Sequence, residues 1–248
     1  MSPDLSLALE LADLADEISL SRFRAHDLLV ETKPDLSPVT ETDTAVEQAI
    51  RVRLARDRPE DGILGEEYAV VPTLEGGRRW IVDPIDGTRN YSRGIPVWAT
   101  LIALEDDGVL RVGVVSAPAL GRRWWSERDA GAFADGTPIR VSRVAEVEDA
   151  VLCFAVEQQL PSVASRCWHA RGFGDFWAHM LVAEGAADGA IDAIGVSVWD
   201  LAAVRIVVEE AGGRFTDQAG VARIDGQSAV SSNGLLHDDL LATVLGTD

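Results

Sequence analysis

Two aspartates lie three residues apart in a short segment that is suited to holding a metal ion. Asp83 and Asp86 are separated by Pro84 and Ile85, directly after the apolar run 80–82. A tight turn at the proline would aim both carboxylates at one point. Carboxylate oxygens are the ligands that Mg²⁺ prefers in proteins, with water and substrate phosphate completing its coordination. The spacing therefore predicts part of a magnesium site.

The residues after Asp86 add a place for an anion. Gly87 allows close approach of the backbone, and the amides of Gly87 and Thr88 form an anion site if a helix begins there. A cation site and an anion site would then share the segment 83–88. That is the arrangement that phosphate ester chemistry needs.

Three further segments place acidic residues beside turns or helix starts. Glu66 follows a strand-like pair and a glycine, Asp43 opens one predicted helix and Asp200 opens another. Each segment has an ordinary alternative, because Asp-Pro and Asp-Gly form turns, paired glutamates are commonly solvated, and an aspartate at a helix start is commonly a cap. Their joint occurrence is more specific than any one of them.

The elements that must position these acids alternate between helices and strands. Apolar residues at helical spacing predict helices from residue 3 into the twenties, from 42 to about 58, from 176 to 184, from 200 to 211 and from 237 onward. Strand patterns cover 80–82, 97–104, 109–115, 122–126, 150–156, 190–194, 214–216 and 229–231, with a hairpin between the second and third. The mixture predicts an α/β (α+β) protein built of layered sheets and helices.

A change of texture near Val141 predicts a division of the chain into two parts. The N-terminal subdomain, 1–141, would carry most of the metal ligands. The C-terminal subdomain, 142–248, would carry Asp200 and the residues that select the substrate.

The composition is typical of a globular protein, but the charge is unusual. The 248 residues include 41 acidic and 22 basic side chains, for a net charge of −19. A surface this acidic repels nucleic-acid backbones and anionic lipid, so we expect neither as a partner. Lys33 is the single lysine among the basic residues.

The cysteines, the histidines and the start of the chain bear on the identity of the metal and on the cell compartment. The two cysteines form no CxxC motif or disulfide framework, and the four histidines show no zinc-site spacing. The start of the chain lacks the basic and apolar regions of a signal peptide, and no apolar run approaches the roughly 18 residues of a membrane span. We therefore expect a cytoplasmic protein without a membrane segment.

Taken together, the motifs resemble those of the inositol monophosphatase superfamily of Mg²⁺-dependent phosphatases. The first signature resembles residues 80–91, and the second resembles residues 199–203 continuing through 210–213. The resemblance implies a layered α-β-α-β-α sandwich of the inositol monophosphatase / fructose-1,6-bisphosphatase type, a homodimer, and two to three Mg²⁺ ions in each active site.

The same resemblance assigns roles to individual residues. It implies that the metal ligands are Glu66, Asp83, the carbonyl of Ile85, Asp86 and Asp200. It implies that Asp43, Thr88 and Glu66 prepare the attacking water, and that the amides of Gly87 and Thr88 cradle the phosphate. Lys33 falls near the family's loop lysine, with a solvated loop lysine as the alternative.

Within the superfamily, the chain resembles the actinobacterial type of histidinol-phosphate phosphatase. The segments 94–99, 114–120, 123–125 and 174–176 carry this narrower resemblance. It implies hydrolysis of histidinol phosphate to histidinol and phosphate in histidine biosynthesis, by attack of a metal-activated water. The alternatives are an inositol-1-phosphatase or a broad sugar-phosphate phosphatase, and, from a different class, a non-enzymatic cation-binding protein.

Substrate selection depends on the chemistry outside the phosphate. Histidinol phosphate carries an ammonium and an imidazole, which an extra acid in the pocket would favour. Asp175 is the candidate acid, with capping of the helix from residue 176 as its alternative role, and Arg171 lies nearby. His179 and Trp98 are further candidates for the pocket. The predicted substrate-binding residues are Asp86, Gly87, Thr88, Arg171, Asp175 and Asp200.

One position departs from the family's pattern. The family often has a substrate-binding glutamate seven residues before the second-signature aspartate, where this chain has Ala193. Either Asp192 substitutes for it after a shift of one residue, or that contact is missing.

Overall fold

The computed structural model describes residues 1–34, 36–73, 77–155, 162–192 and 195–244. The helices are α1 (Pro3–Arg22), α2 (Glu41–Asp57), α3 (Thr88–Ser92), α4 (Asp175–Ala183), α5 (Val198–Glu210) and α6 (His237–Val244). The strands are β1 (Val30–Thr32), β2 (Pro38–Thr40), β3 (Gly62–Gly65), β4 (Arg78–Asp86), β5 (Ala99–Asp106), β6 (Val109–Ala117), β7 (Arg122–Glu127), β8 (Gly131–Ala134), β9 (Thr137–Ile139), β10 (Val151–Phe154), β11 (His169–Arg171), β12 (Gly189–Asp192), β13 (Arg214–Thr216) and β14 (Ala229–Ser232).

The strands form two large sheets and a small one. A seven-stranded sheet runs in sequence order from β3 to β9, with β3 parallel to β4 and the remaining pairs antiparallel. A five-stranded mixed sheet has the order β11-β10-β12-β14-β13, and β1 pairs with β2. The predicted hairpin is confirmed as β5 and β6.

Helices cover both faces of the seven-stranded sheet. Along β5, Ile102 and Leu104 pack against α1 and α2, whereas Leu101 and Ala103 face the opposite side and pack against α5. This alternation is what a strand with two buried faces requires. Helices α4 and α5 lie between the two large sheets, and α6 packs on the five-stranded sheet through Leu240. The α-β-α-β-α sandwich is thereby confirmed.

Helices α2 and α5 begin earlier than the sequence predicts. Thr40 caps α2 and Ser197 caps α5, and each cap forms a capping box with the acid three residues later. Asp43 and Asp200 are therefore in the first turn of their helices, where a carboxylate also benefits from the helix dipole. The prediction that these aspartates open their helices was wrong by two or three residues.

The segment after Val82 is a strand, not a turn. Strand β4 continues through Asp86, and its register against β5 shifts between Asp83 and Asp86. The irregularity accommodates Pro84, whose carbonyl accepts a hydrogen bond from the Thr100 hydroxyl at 2.8 Å. A bulged strand, and not the predicted turn, therefore aims the carboxylates of Asp83 and Asp86 at one point.

The proposed boundary near residue 141 stays a prediction. The seven-stranded sheet lies before it and the five-stranded sheet after it, while α5 packs against strands of both. None of the described helices is long and apolar enough to cross a membrane.

Candidate active site

Three aspartates meet at one end of the interface between β4 and α5. Asp83 and Asp86 come from the irregular end of β4, and Asp200 comes from the first turn of α5. Each offers a carboxylate oxygen, and these oxygens all lie within 4.8 Å of one another. The two predicted metal signatures, more than one hundred residues apart, are therefore brought together.

The three carboxylates of this cluster are buried together, and their charges repel one another. Burial and the neighbouring carboxylates raise the pKa of Asp83 and of Asp86 well above the ordinary value. The same causes raise the pKa of Asp200 to about 6. In addition, Asp83 Oδ1 is buried without a hydrogen-bond partner among the described residues. Crowded acids with an unsatisfied buried oxygen fit a hard divalent cation.

Backbone amides fix the orientation of two of the three carboxylates. Asp86 Oδ2 accepts a hydrogen bond from the backbone N–H of Phe176 at 2.6 Å. Asp200 Oδ2 accepts one from the N–H of Ser197, also at 2.6 Å. Each carboxylate keeps its other oxygen for a ligand. The Ser197 contact has a sequence signal, the capping box, but the Phe176 contact has none.

Glu66 lies beside this cluster and is paired with the single lysine. The Lys33 Nζ is 2.7 Å from Glu66 Oε1 and 2.6 Å from Glu67 Oε1. Glu66 is outside the three-carboxylate group, but its charge contributes to the raised pKa of Asp83. Lys33 is thus a half-buried partner of site acids and not a solvated loop lysine.

A buried glutamate on α2 holds the backbone around Glu66. Glu47 is fully buried, and its carboxylate accepts hydrogen bonds from the N–H groups of Glu67 and Tyr68 at 2.7 and 3.2 Å. A Cβ atom at Gly65 would lie 2.1 Å from Glu47 Oε1, so only glycine fits there. Sequence reasoning missed this role. The available signal was an acid on the otherwise apolar face formed by Val46 and Ile50.

Thr88 and Asp43 meet across 45 residues of sequence. The Thr88 hydroxyl lies 3.0 Å from Asp43 Oδ1 and 2.9 Å from the carbonyl oxygen of Ile85, and it donates its one proton to either. Asp43 Oδ2 accepts from both the backbone N–H and the hydroxyl of Thr40. The capping box of α2 therefore holds the acid that orients Thr88.

Gly87 joins β4 to α3 in a conformation that favours glycine. Its φ of +84° lies in the left-handed region, and a Cβ atom there would lie 3.1 Å from the carbonyl oxygen of Val97. Trp98 is fully buried below this segment, with its ring centroid 4.9 Å from that of Tyr91. Trp98 therefore supports the segment from the core. The prediction that it lines the adjacent cavity was wrong.

A cavity of about 260 Å³ adjoins Asp86 and Asp200, and two more acids line it. Asp175 is exposed there with a φ of +53°, in the left-handed region that non-glycine residues rarely adopt. Helix α4 begins at Asp175 itself, with Gly174 at the N-cap position, so the alternative that Asp175 caps this helix was wrong. Asp192 is buried, and burial together with Asp175 and Asp200 raises its pKa to about 7.

The remaining pocket predictions have mixed outcomes. Arg171 is exposed on β11 and is not among the residues that line the cavity, where Arg89 supplies the basic side chain instead. His179 lines the cavity, with Nδ1 2.8 Å from the Ser231 hydroxyl, and burial lowers its pKa to about 4. It is therefore a neutral imidazole at pH 7.

Ala193, which occupies the position of the family's substrate-binding glutamate, lies outside the described residues.

A layered sandwich with acids from β4 and α5 gathered at one edge defines a class of metal-dependent phosphoric monoester hydrolases. Residues 1–245 match the family described as the inositol monophosphatase family. The chain belongs to that family.

Individual relatives agree with this membership. The chain is 55% identical to the histidinol-phosphatase of Mycobacterium tuberculosis, with 96% of each chain covered. It is 47% identical to the histidinol-phosphatase of Streptomyces coelicolor, covering 96% of this chain and 95% of that protein. Among solved structures, the extragenic suppressor protein suhB from Bartonella henselae matches with a TM-score of 0.91 at 29% identity, covering 98% of both chains.

Proposed function

We propose that the protein is a Mg²⁺-dependent phosphatase that hydrolyses histidinol phosphate to histidinol and phosphate, as a step of histidine biosynthesis in the cytoplasm. The observation that carries this proposal is the pair Asp175 and Asp192 on the cavity beside the three-aspartate cluster. The identities of 55% and 47% to two histidinol-phosphatases support it.

The metal would be held by the acids already described. Asp83, Asp86 and Asp200, with Glu66 and the carbonyl of Ile85, provide oxygen ligands for two to three Mg²⁺ ions. When bound, Mg²⁺ supplies positive charge that makes water a better nucleophile and stabilises negative charge on the leaving oxygen. Lys33 keeps Glu66 in place and balances part of the acidic charge in the absence of metal.

Thr88 and Asp43 would orient the attacking water. When the Thr88 hydroxyl donates its proton to Asp43 and not to the Ile85 carbonyl, its oxygen can accept a hydrogen bond from the water. Glu66 also accepts from that water and helps to remove its proton. The N–H groups of Gly87 and Thr88, at the start of α3, would donate to phosphate oxygens.

The substrate's cationic end would bind the far side of the cavity. Its ammonium group pairs with Asp175, which is exposed there, while Asp192 adds negative charge behind it. The neutral His179 contributes a wall that does not repel a cation. Arg171, exposed on β11, would act only by attracting the phosphate at longer range. Outside its phosphate, inositol phosphate carries only hydroxyl groups, so it forms no ion pair with the two acids.

A substrate panel tests this proposal. We expect kcat/KM for histidinol phosphate to exceed that for inositol 1-phosphate and for generic sugar phosphates, with phosphate release lost on adding a chelator. Equal or greater efficiency on inositol 1-phosphate would overturn the substrate assignment. Absence of Mg²⁺-dependent release from any substrate, including an aryl phosphate, would instead favour a non-enzymatic cation-binding protein.

We also propose that the protein is a homodimer, as the family resemblance implies. Sedimentation equilibrium measures this directly. A mass close to the 26.6 kDa of one chain at micromolar concentration would contradict it.

A further inference from the structure

A second cavity, of about 370 Å³, is lined by four arginines. Arg79 comes from β4, Arg128 follows β7, Arg205 lies on α5 and Arg223 lies between β13 and β14. We call it the arginine cavity. It shares no lining residue with the cavity beside the three aspartates. Its size is within the range of small-molecule sites in proteins.

The acidic partners of these arginines leave much of their donor capacity unused. Arg205 and Arg223 each bind one carboxylate through Nε, at 2.7 Å, and Arg79 binds Glu105 through Nε. Among the residues that the structure describes, no hydrogen bond joins the Nη1 or Nη2 atom of these three arginines to an acceptor. Six donor nitrogens on three guanidinium groups are therefore left for a ligand or for water.

The charge around the arginine cavity is also unusual for this chain. The lining includes four guanidinium groups but only two carboxylates, those of Glu105 and Asp225, in a protein with a net charge of −19. Glu209 pairs with both Arg128 and Arg205 from outside the lining, and Glu210 lies 3.5 Å from Arg128. The hydrogen bond from Arg223 lowers the pKa of Asp225, and the positive charges of Arg223 and Arg79 lower it further.

The positions of two arginines are fixed before any ligand arrives. The side chains of Arg205 and Arg128 are only 19% and 25% exposed, and Arg128 donates to the Leu110 carbonyl as well as to Glu209. Holding these side chains in advance reduces the ordering cost of binding. Three guanidinium groups with free donors, which come from three separate elements, suit a tetrahedral group whose oxygens project in several directions. Arg128, whose nitrogens already donate to Leu110 and Glu209, adds positive charge beside them.

We propose that the arginine cavity binds a small phosphate-bearing anion, at a site separate from the active centre. This site is independent of the substrate assignment, because it uses none of the residues that would hold metal or substrate.

Calorimetric titration with tripolyphosphate tests the proposal, using the full chain in chelator at low ionic strength. Without metal, the acids of the active centre repel the probe, so saturable uptake reports another site. We expect one tripolyphosphate per chain, and R79Q/R223Q should weaken its binding at least about tenfold. The variant R166Q/R214Q removes the same charge at exposed ion pairs outside the lining and should retain binding close to that of the unmodified chain.

Two further variants keep the result decisive if R79Q/R223Q folds poorly. V109E places a negative charge at the half-exposed lining residue Val109 and should also weaken binding, whereas D86N should not. The proposal is overturned if tripolyphosphate shows no saturable binding, if R166Q/R214Q loses as much affinity as R79Q/R223Q, or if D86N abolishes binding.

Discussion

The carboxylate of Asp86 accepts a hydrogen bond from the backbone N–H of Phe176, 2.6 Å away and 90 residues later in the chain. This contact ties the irregular end of β4 to the first turn of α4. It places Asp175, the residue before Phe176, on the same cavity as Asp86. One oxygen of Asp86 thus joins the proposed metal site to the proposed substrate pocket.

Replacing Asp86 by asparagine should nearly abolish turnover while the fold remains intact. Asparagine keeps an oxygen that accepts from Phe176 but removes the charge that would bind metal, so we expect a loss of at least about 100-fold in kcat/KM. Measurement of phosphate release across a Mg²⁺ titration checks this.

Although D86N should lose activity, we expect it to gain stability in the absence of metal. In chelator, D86N relieves repulsion within the buried acids, so its midpoint of thermal unfolding should rise above that of the unmodified protein. The exposed D149N variant serves as the control for removing one charge. Near-normal activity of D86N would rule out Asp86 as a metal ligand.

The hydroxyl of Thr88, and not the volume of its side chain, should matter for catalysis. T88V keeps the shape but removes the group that would bind water, so we expect kcat to fall by about 100-fold or more, with KM changing far less. T88S keeps the hydroxyl and should retain most of the activity. Steady-state kinetics on both variants decide the point, since equal losses in T88S and T88V would indicate a packing role.

Gly65 and Glu47 should be coupled energetically. G65A forces a Cβ atom against the buried Glu47 carboxylate, which should lower the free energy of unfolding by about 1–3 kcal/mol. E47A should also be destabilising, because it leaves the amides of Glu67 and Tyr68 and the charge of Arg51 without their acceptor. In the double variant the added methyl group fits the space vacated by Glu47.

Urea unfolding of the four proteins in this cycle measures the coupling. The cost of G65A should be much smaller in the E47A background than in the unmodified chain. Strictly additive effects would show that the two residues do not interact.

The fold and the metal cluster were largely predictable because they depend on local patterns. Helical spacing predicted a helix from residue 3 into the twenties, and α1 runs from Pro3 to Arg22. The acid-bearing segments around Asp83 and Asp200 identified the site. The pocket was less predictable because its contacts join distant segments without a local signal. Arg89 was missed in favour of Arg171, since nothing in the sequence shows which arginine faces the cavity. The bulge in β4 was read as a turn because Pro84 favours both.

Asp175 should determine the preference for a cationic substrate. Loss of a charge-assisted contact in D175N should raise KM for histidinol phosphate about tenfold or more. KM for inositol 1-phosphate should change little, because that substrate carries no cation. Parallel kinetics on both substrates separate this specific effect from general damage to the pocket. An unchanged KM for histidinol phosphate would remove Asp175 from substrate recognition.

Asp192 should make the metal-free protein less stable as the pH rises. Its pKa is about 7 in the folded protein against an ordinary 3.8, so the folded state holds this proton more tightly than the unfolded state. The stability that this proton contributes is fully present below pH 3.8 and is lost as the pH rises through 7. Neutral Asp192 resembles asparagine, so D192N should match the unmodified protein at pH 4. By pH 8 it should be more stable, by a difference on the order of 4 kcal/mol at most. Urea unfolding in chelator between these pH values measures the gap, with the exposed D149N as control. A gap that does not vary with pH would show that folding does not raise the pKa of Asp192.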